Sequence, residues 1–225
     1  MDAAPERFSF SAGERMLSGL WISARAPTAV AVLAHGAGAG MEHPFMAGAA
    51  EGLVRGGVST MRFNFPYVEE GRRSPDRPPI LLQAWRGALD EAQRRSKGLP
   101  IAAGGKSMGG RMASMVAAEE KESFAARALV FFGYPLHAPG KADQPRDAHL
   151  PAVAVPMLFL QGTDDSFATF ELIEGLVRRL GPRARLHAVQ GGDHSFRVRG
   201  ARRPDGEIAQ ELGEVAAAFL REVLS

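Results

Sequence analysis

Short strand-like runs alternate with helix-like stretches along this chain, and that alternation leaves few folds open. The runs are Ala29–Ala34, Val58–Phe63, Leu99–Ala103, Ala128–Phe132, Met157–Gln161 and Arg185–Val189. Between them Pro44–Arg55, Ile80–Lys97, Arg111–Glu119 and Phe167–Leu180 have helical character, and a last helix is expected over Gly206–Leu224. That last stretch places Ile208, Leu212, Val215, Phe219 and Val223 on one face, which must pack on something. Ala29–Ala34 is apolar throughout, as a strand covered on both faces requires. The pattern predicts an α/β fold, a mostly parallel sheet with helices on both faces. Ahead of it, Arg7–Phe10 and Met16–Ser23 flank a Ser11–Glu14 turn and predict an opening antiparallel hairpin. With 225 residues, 45% of them hydrophobic, the chain can build one sizeable core, so one domain over 1–225 is expected.

One junction in this alternation carries chemistry. The Leu99–Ala103 run leads through Gly104 into Gly105-Lys106-Ser107-Met108-Gly109, and a helical stretch leads out. A G-x-S-x-G at a strand–turn–helix junction holds serine on a strained backbone with its hydroxyl clear of the strand end. The following helix N-terminus directs free N–H groups and a positive dipole to the same place. Alone the motif is weak, because many occurrences are ordinary turns. A phosphate-binding loop is the other reading of Gly105-Lys106-Ser107, but it needs glycine five positions before Gly105, and Pro100 stands there.

In an open parallel sheet, ligands bind beyond the carboxyl ends of the strands. Ser107, the Asp164-Asp165 pair and His194 each follow a strand-like run, in the order serine, acid, histidine. A serine hydroxyl attacks a carbonyl only when an imidazole takes its proton, and the imidazole needs a carboxylate to fix its tautomer. Asp165 is favoured as the acid because it lies three residues after the strand-end Gly162, whereas Asp164 can cap the next helix. Of six histidines, His194 alone combines the right order with a Gly-Gly-Asp lead-in. His187 lies within a strand, His137 and His149 fall in a proline-rich segment where exposure is expected, and His43 precedes a helix at the mouth. His35 is expected to brace the Gly36–Gly40 loop by hydrogen bonds. The oxyanion formed on attack needs preplaced donors. The N–H of Met108 is one, and Ala37, with Gly38 as the alternative, supplies the second. Met41, Phe65, Tyr67, Tyr134, Phe167 and Phe196 lie just past strand ends and are candidates to line a substrate pocket.

Several classes are disfavoured. The 27 basic and 25 acidic residues leave a net charge of +2, too small an excess for a nucleic-acid footprint. The paired arginines, Arg72-Arg73, Arg94-Arg95, Arg178-Arg179 and Arg202-Arg203, read as solvated faces. No cysteine is present, which removes disulfides, thiolate catalysis and cysteine metal sites, and suits a cytoplasmic protein. Met1–Arg7 lacks the build of a signal peptide, and no apolar run is long enough to span a membrane. No spaced ligand pair for a metal occurs, and no cofactor is expected.

His35-Gly36-Ala37-Gly38, Arg62-Phe63-Asn64-Phe65-Pro66-Tyr67, Gly105–Arg111, Leu160-Gln161-Gly162-Thr163 with Asp165, and Gly192–Phe196 together resemble the small lid-less α/β-hydrolases related to dienelactone hydrolase. The branch it most resembles is shared by small bacterial hydrolase-like proteins and a non-specific-lethal chromatin-complex subunit of animals. The resemblance runs from about residue 16 onward. It implies an α/β-hydrolase fold with little or no cap, only Gly133–Val155 being free to form one, and a Ser107–His194–Asp165 triad. Dienelactone hydrolase itself uses cysteine as nucleophile, so its specificity does not carry over to Ser107. The expected function is hydrolysis of a carboxylic ester or related small acyl substrate. The alternatives are a thioesterase or acyltransferase with the same triad, or a hydrolase fold kept as a binding or scaffolding module. A homodimer is the default oligomer.

Overall fold

The computed structural model describes residues 4–201 and 203–225. The reading of Met1–Ala3 and the Arg202 half of one arginine pair lie outside them. Eight strands form one sheet: β1 (Glu6–Ala12), β2 (Arg15–Ile22), β3 (Ala29–Ala34), β4 (Val58–Phe63), β5 (Ile101–Lys106), β6 (Ala128–Phe132), β7 (Met157–Gly162) and β8 (Ala184–Val189). The helices are α1 (Pro44–Arg55), α2 (Pro66–Glu69), α3 (Pro78–Arg95), α4 (Met108–Glu120), α5 (Phe170–Leu180) and α6 (Asp205–Leu224). The strand order is β1-β2-β4-β3-β5-β6-β7-β8. β1 and β2 form the expected antiparallel hairpin, β2 runs antiparallel to β4, and every later pairing is parallel. This is an α/β-hydrolase fold.

The sheet separates two apolar cores. Val30, Val32 and Ala34 of β3 face the core built with α3, α4 and α5, where Trp85, Val116 and Ile173 are buried. Ala29, Ala31 and Leu33 face the other core, shared with α1 and α6. Pleating alone divides a continuous apolar run in this way. Helices α1 and α6 touch backbone to backbone. A Cβ on Gly52 would stand 2.0 Å from the Gln210 carbonyl oxygen, and one on Gly213 would stand 2.4 Å from that of Ala49.

The ends of several elements differ from the expected ranges by up to three residues, and two of these differences bear on the site. β5 continues through Gly104 and Gly105 to Lys106, because without side chains these residues pair fully with β6 and β3. α5 begins at Phe170, not Phe167, because the Asp165 carboxylate and carbonyl take the N–H groups of Phe167 (2.7 Å) and Ala168 (3.1 Å) in a tight turn. Asp164 therefore does not cap that helix, whose N-cap is Thr169. The 133–155 segment contains only a 3-10 turn at Leu150–Ala152, so no helical cap covers the sheet. No helix among the described residues is long and apolar enough to cross a membrane.

Connectivity locates the site. From β3 the chain crosses to β4 on one side, and from β5 it crosses to β6 on the other. The β3 and β5 ends thus bound the point where strand order reverses, where a crevice opens in such sheets.

Candidate active site

Ser107 sits at that point, between β5 and α4, with φ 50° and ψ −116°. A non-glycine residue there costs about 1–3 kcal/mol and persists only when its surroundings hold it. Here the Ser107 N–H donates to the Phe132 carbonyl (3.1 Å), and its own carbonyl accepts from Arg111 (3.1 Å). The start of α4 lies directly on the end of β3. A Cβ on Gly109 would stand 2.2 Å from the Ala34 carbonyl oxygen, while the Gly109 carbonyl accepts from the Trp85 indole (3.1 Å). Gly109→Ala must therefore move backbone, not side chain. It is expected to destabilise the fold by about 3 kcal/mol, at the upper end for overpacking, read as a lowered urea midpoint.

His194 reaches Ser107 from the loop after β8. Its Nε2 lies 2.8 Å from Ser107 Oγ, and its Nδ1 lies 2.7 Å from Asp165 Oδ2. Asp165 is 4% exposed, and both carboxylate oxygens are occupied. Oδ2 also accepts from Gln161 Nε2 (2.5 Å), and Oδ1 accepts from the Phe167 N–H (2.7 Å). Gln161 is held in turn by the Tyr134 N–H (2.9 Å). A carboxylate so fixed accepts from Nδ1–H, which leaves Nε2 lone-pair-bearing toward the serine hydroxyl. Asp164, by contrast, is exposed, and its N–H donates to the Gly192 carbonyl (2.9 Å).

The His194 loop is tied down from several sides. Asp193 Oδ1 accepts from the N–H groups of Ser195 (2.8 Å) and Arg197 (3.0 Å). The Phe167 ring lies 4.4 Å from the imidazole, centroid to centroid. From below, Lys106 Nζ donates to the His194 carbonyl (2.7 Å). Burial pushes the Lys106 ammonium down to about 8, against the opposing pull of Asp165 and Asp193. Apart from the excluded phosphate-loop reading, the only signal for this lysine in the sequence is its position beside the serine.

His35 braces the other wall. The Phe65 N–H donates to its Nε2 (3.2 Å), so Nε2 carries no proton, and Nδ1–H donates to the Gly36 carbonyl (2.8 Å). Burial holds this imidazole down to about 4. Its ordinary value is 6.5, so between 6.5 and 4 the unfolded chain binds a proton that the fold refuses. Stability must therefore fall as pH drops through that window, by as much as about 3 kcal/mol from this group. Urea midpoints at pH 7 and 4.5 test this, and His35→Gln should flatten the slope. Part of the slope should remain, because burial and the Arg111 charge also lower His149 to about 4.

A cavity of about 260 Å³ opens over Ser107, lined by Gly36, Ala37, Ala39, His43, Phe45, Met46, Lys106, Phe167, His194, Ser195 and Asp205. Ala37 lines it. Among the described residues the N–H groups of Ala37 and Met108 have no acceptor in the protein. His43 does two things, capping α1 through the Phe45 N–H (3.2 Å) and lining the cavity. Of the six expected lining residues, only Phe167 lines this cavity.

Met41, Phe65, Tyr67 and Tyr134 are at most 1% exposed and pack beneath the loops. Met41 is turned inward because Asn64 Oδ1 takes its N–H (2.9 Å) and Arg62 donates to its carbonyl (2.9 Å). Phe65 packs edge-on to His35, and the Tyr134 hydroxyl donates to the Arg146 carbonyl (2.9 Å). Phe196 is also buried, stacked on Phe45. His137 is not solvent-exposed as expected but 3% exposed, with Nε2 accepting the Thr169 N–H (2.8 Å). His149 is half-buried, its Nε2 lying 2.8 Å from Ser114 Oγ.

The sequence pattern of a family described as an alpha/beta hydrolase domain matches residues 27–223. The chain belongs to this family. Among solved structures, it is similar to a dienelactone hydrolase from Anabaena variabilis, at 23% identity and TM-score 0.75, over 99% of this chain and 100% of that one. An alpha-beta serine hydrolase homologue from Coxiella burnetii matches at 21% identity and TM-score 0.75, over 96% and 97%. A serine hydrolase without a lid from Xanthomonas campestris matches at 16% identity and TM-score 0.72, over 99% and 96%. At these identities the likeness is one of fold. It agrees with the lid-less sheet of this alpha/beta hydrolase.

Proposed function

We propose that this alpha/beta hydrolase is a serine hydrolase acting on a carboxylic ester or related small acyl substrate. The observation that carries the reading is the hydrogen-bonded chain Ser107 Oγ, His194, Asp165, ending at a cavity large enough for a small ester. Ser107 attacks the carbonyl while His194 Nε2 takes its proton. The tetrahedral oxyanion accepts from the Met108 and Ala37 N–H groups. As the intermediate collapses, the bond to the alcohol breaks, and His194 hands that alcohol its proton. Water, deprotonated by the same imidazole, then attacks the acyl-serine and releases the acid. Asp165 stays ionised throughout and stabilises the imidazolium. Residues 1–225 act as one domain in this reading, supported by the single sheet and its two cores. The absence of cysteine suits a reducing cytoplasm.

Labelling with a fluorophosphonate, read by intact mass beside hydrolysis of p-nitrophenyl acetate, tests the proposal. One adduct with turnover is expected. A folded protein that takes no adduct and turns over no ester would refute catalysis and favour a binding or scaffolding module. Thioester hydrolysis or acyl transfer would pass through the same acyl-serine, and added thioester or alcohol acceptors separate these activities.

A further inference from the structure

Phe196 stands two residues after His194 and adopts φ 65°, a conformation that costs a bulky side chain far more than glycine. Its neighbours Ser195 and Arg197 are half-buried and exposed, yet Phe196 is 1% exposed. The strained backbone turns one ring inward from an otherwise wet loop. That ring lies nearly parallel to Phe45, with centroids 5.7 Å apart and planes at 16°. Phe45 lines the cavity over Ser107. Beyond Phe196 lies a second crevice of about 310 Å³ between β8 and α6, lined by Val189, Val198, Ile208, Leu212 and Val215. The two spaces differ in character. Both have mainly apolar walls, but the first carries Lys106, His43 and Ser195 beside the serine, while the second carries aliphatic side chains with His187, Arg203 and Glu211 at its edge. Ser195 borders the first and Phe196 the second, so the partition at this point is the stacked ring pair.

We propose that Phe196 is a specificity-determining residue, its ring closing the catalytic cavity against the β8–α6 crevice and so restricting the enzyme to short acyl chains. This rests on the serine-hydrolase reading above. An alkyl chain too long for the catalytic cavity meets the Phe45–Phe196 stack before it can reach the β8–α6 crevice. Shortening residue 196 joins the two spaces. Each methylene that then leaves water for the crevice raises kcat/KM by up to about fourfold. A loop anchor alone would act otherwise, since losing it lowers stability but treats all chain lengths alike.

The test measures kcat/KM for p-nitrophenyl acetate, butyrate and octanoate with wild type, Phe196→Ala and Phe196→Leu, each with its thermal midpoint. Wild type should fall from butyrate to octanoate. Phe196→Ala should raise the octanoate-to-butyrate ratio by about tenfold or more, and Phe196→Leu should raise it less. If the alanine variant does not fold, the leucine variant, which keeps an apolar anchor, decides. A folded variant with the ratio unchanged within about twofold would overturn the proposal, as would a wild type that already prefers octanoate. Wild type without turnover or fluorophosphonate adduct would sink the serine-hydrolase reading and this inference with it. Turnover with an unmoved ratio would sink this inference alone.

Discussion

Ser107→Ala is expected to lower kcat for p-nitrophenyl acetate by about 10⁴- to 10⁶-fold and to abolish fluorophosphonate labelling. The size of the loss follows from the arrangement. Ser107 Oγ lies 2.8 Å from His194 Nε2, and among the described residues no other hydroxyl makes such a contact with that imidazole. Alanine removes only the oxygen, so the left-handed backbone, held by Phe132 and Arg111, stays as it is. The thermal midpoint should therefore move by no more than a few degrees. What activity remains would come from the oxyanion donors and the cavity alone. A folded variant retaining a tenth of wild-type turnover would remove Ser107 from the nucleophile's role.

The second large effect is expected at Asp165→Asn, about 10⁴-fold in kcat. An amide presented to His194 Nδ1 can offer N–H where the carboxylate accepted. The imidazole then takes the other tautomer, with its proton on Nε2 facing Ser107, and cannot act as base. The Phe167 N–H donates to Oδ1 and so holds the amide oxygen on that side and the amide NH2 toward His194, at the loss of the Gln161 bond to Oδ2. Asp164→Asn is the control. That side chain is exposed and makes one long contact, with Thr163 Oγ1 at 3.4 Å, so turnover should stay within about twofold. Equal losses in both variants would withdraw the assignment of the acid.

Much of this was legible in the chain because the signals were periodic or punctuated. The runs at Ala29–Ala34 and Ala128–Phe132 coincide with β3 and β6 to the residue, since a strand buried on both faces admits no polar interruption. The end of β5 was misjudged because Gly104-Gly105 reads as a turn, whereas bare backbone at that point is what lets the strand continue. The cavity lining was the least legible part. Met41, Phe65, Tyr67 and Tyr134 all follow strands, as pocket residues do. Whether such a side chain faces solvent or core depends on loop hydrogen bonds, such as those of Met41 with Asn64 and Arg62, which leave no periodic trace. His137 was misread for the same reason: its partner, Thr169, lies 32 residues away. Phe45 and Met46 line the cavity from the start of α1, where their apolar character reads as ordinary core, whereas His43 before them is legible as a residue at the mouth.

The backbone contact between α1 and α6 also bears on how the molecule is made. On a ribosome, α1 and the sheet face beneath it emerge early, yet α6, which covers them, is the last helix to appear. From Arg55 to Asp205, synthesis at about 5–20 residues per second takes on the order of ten seconds or more. For that interval Leu53, Val54 and Phe45 have no permanent cover, and the bare glycine surface of α1 has no ridge of its own to shield them. A chain arrested before α6 would carry an open apolar face and be prone to aggregate.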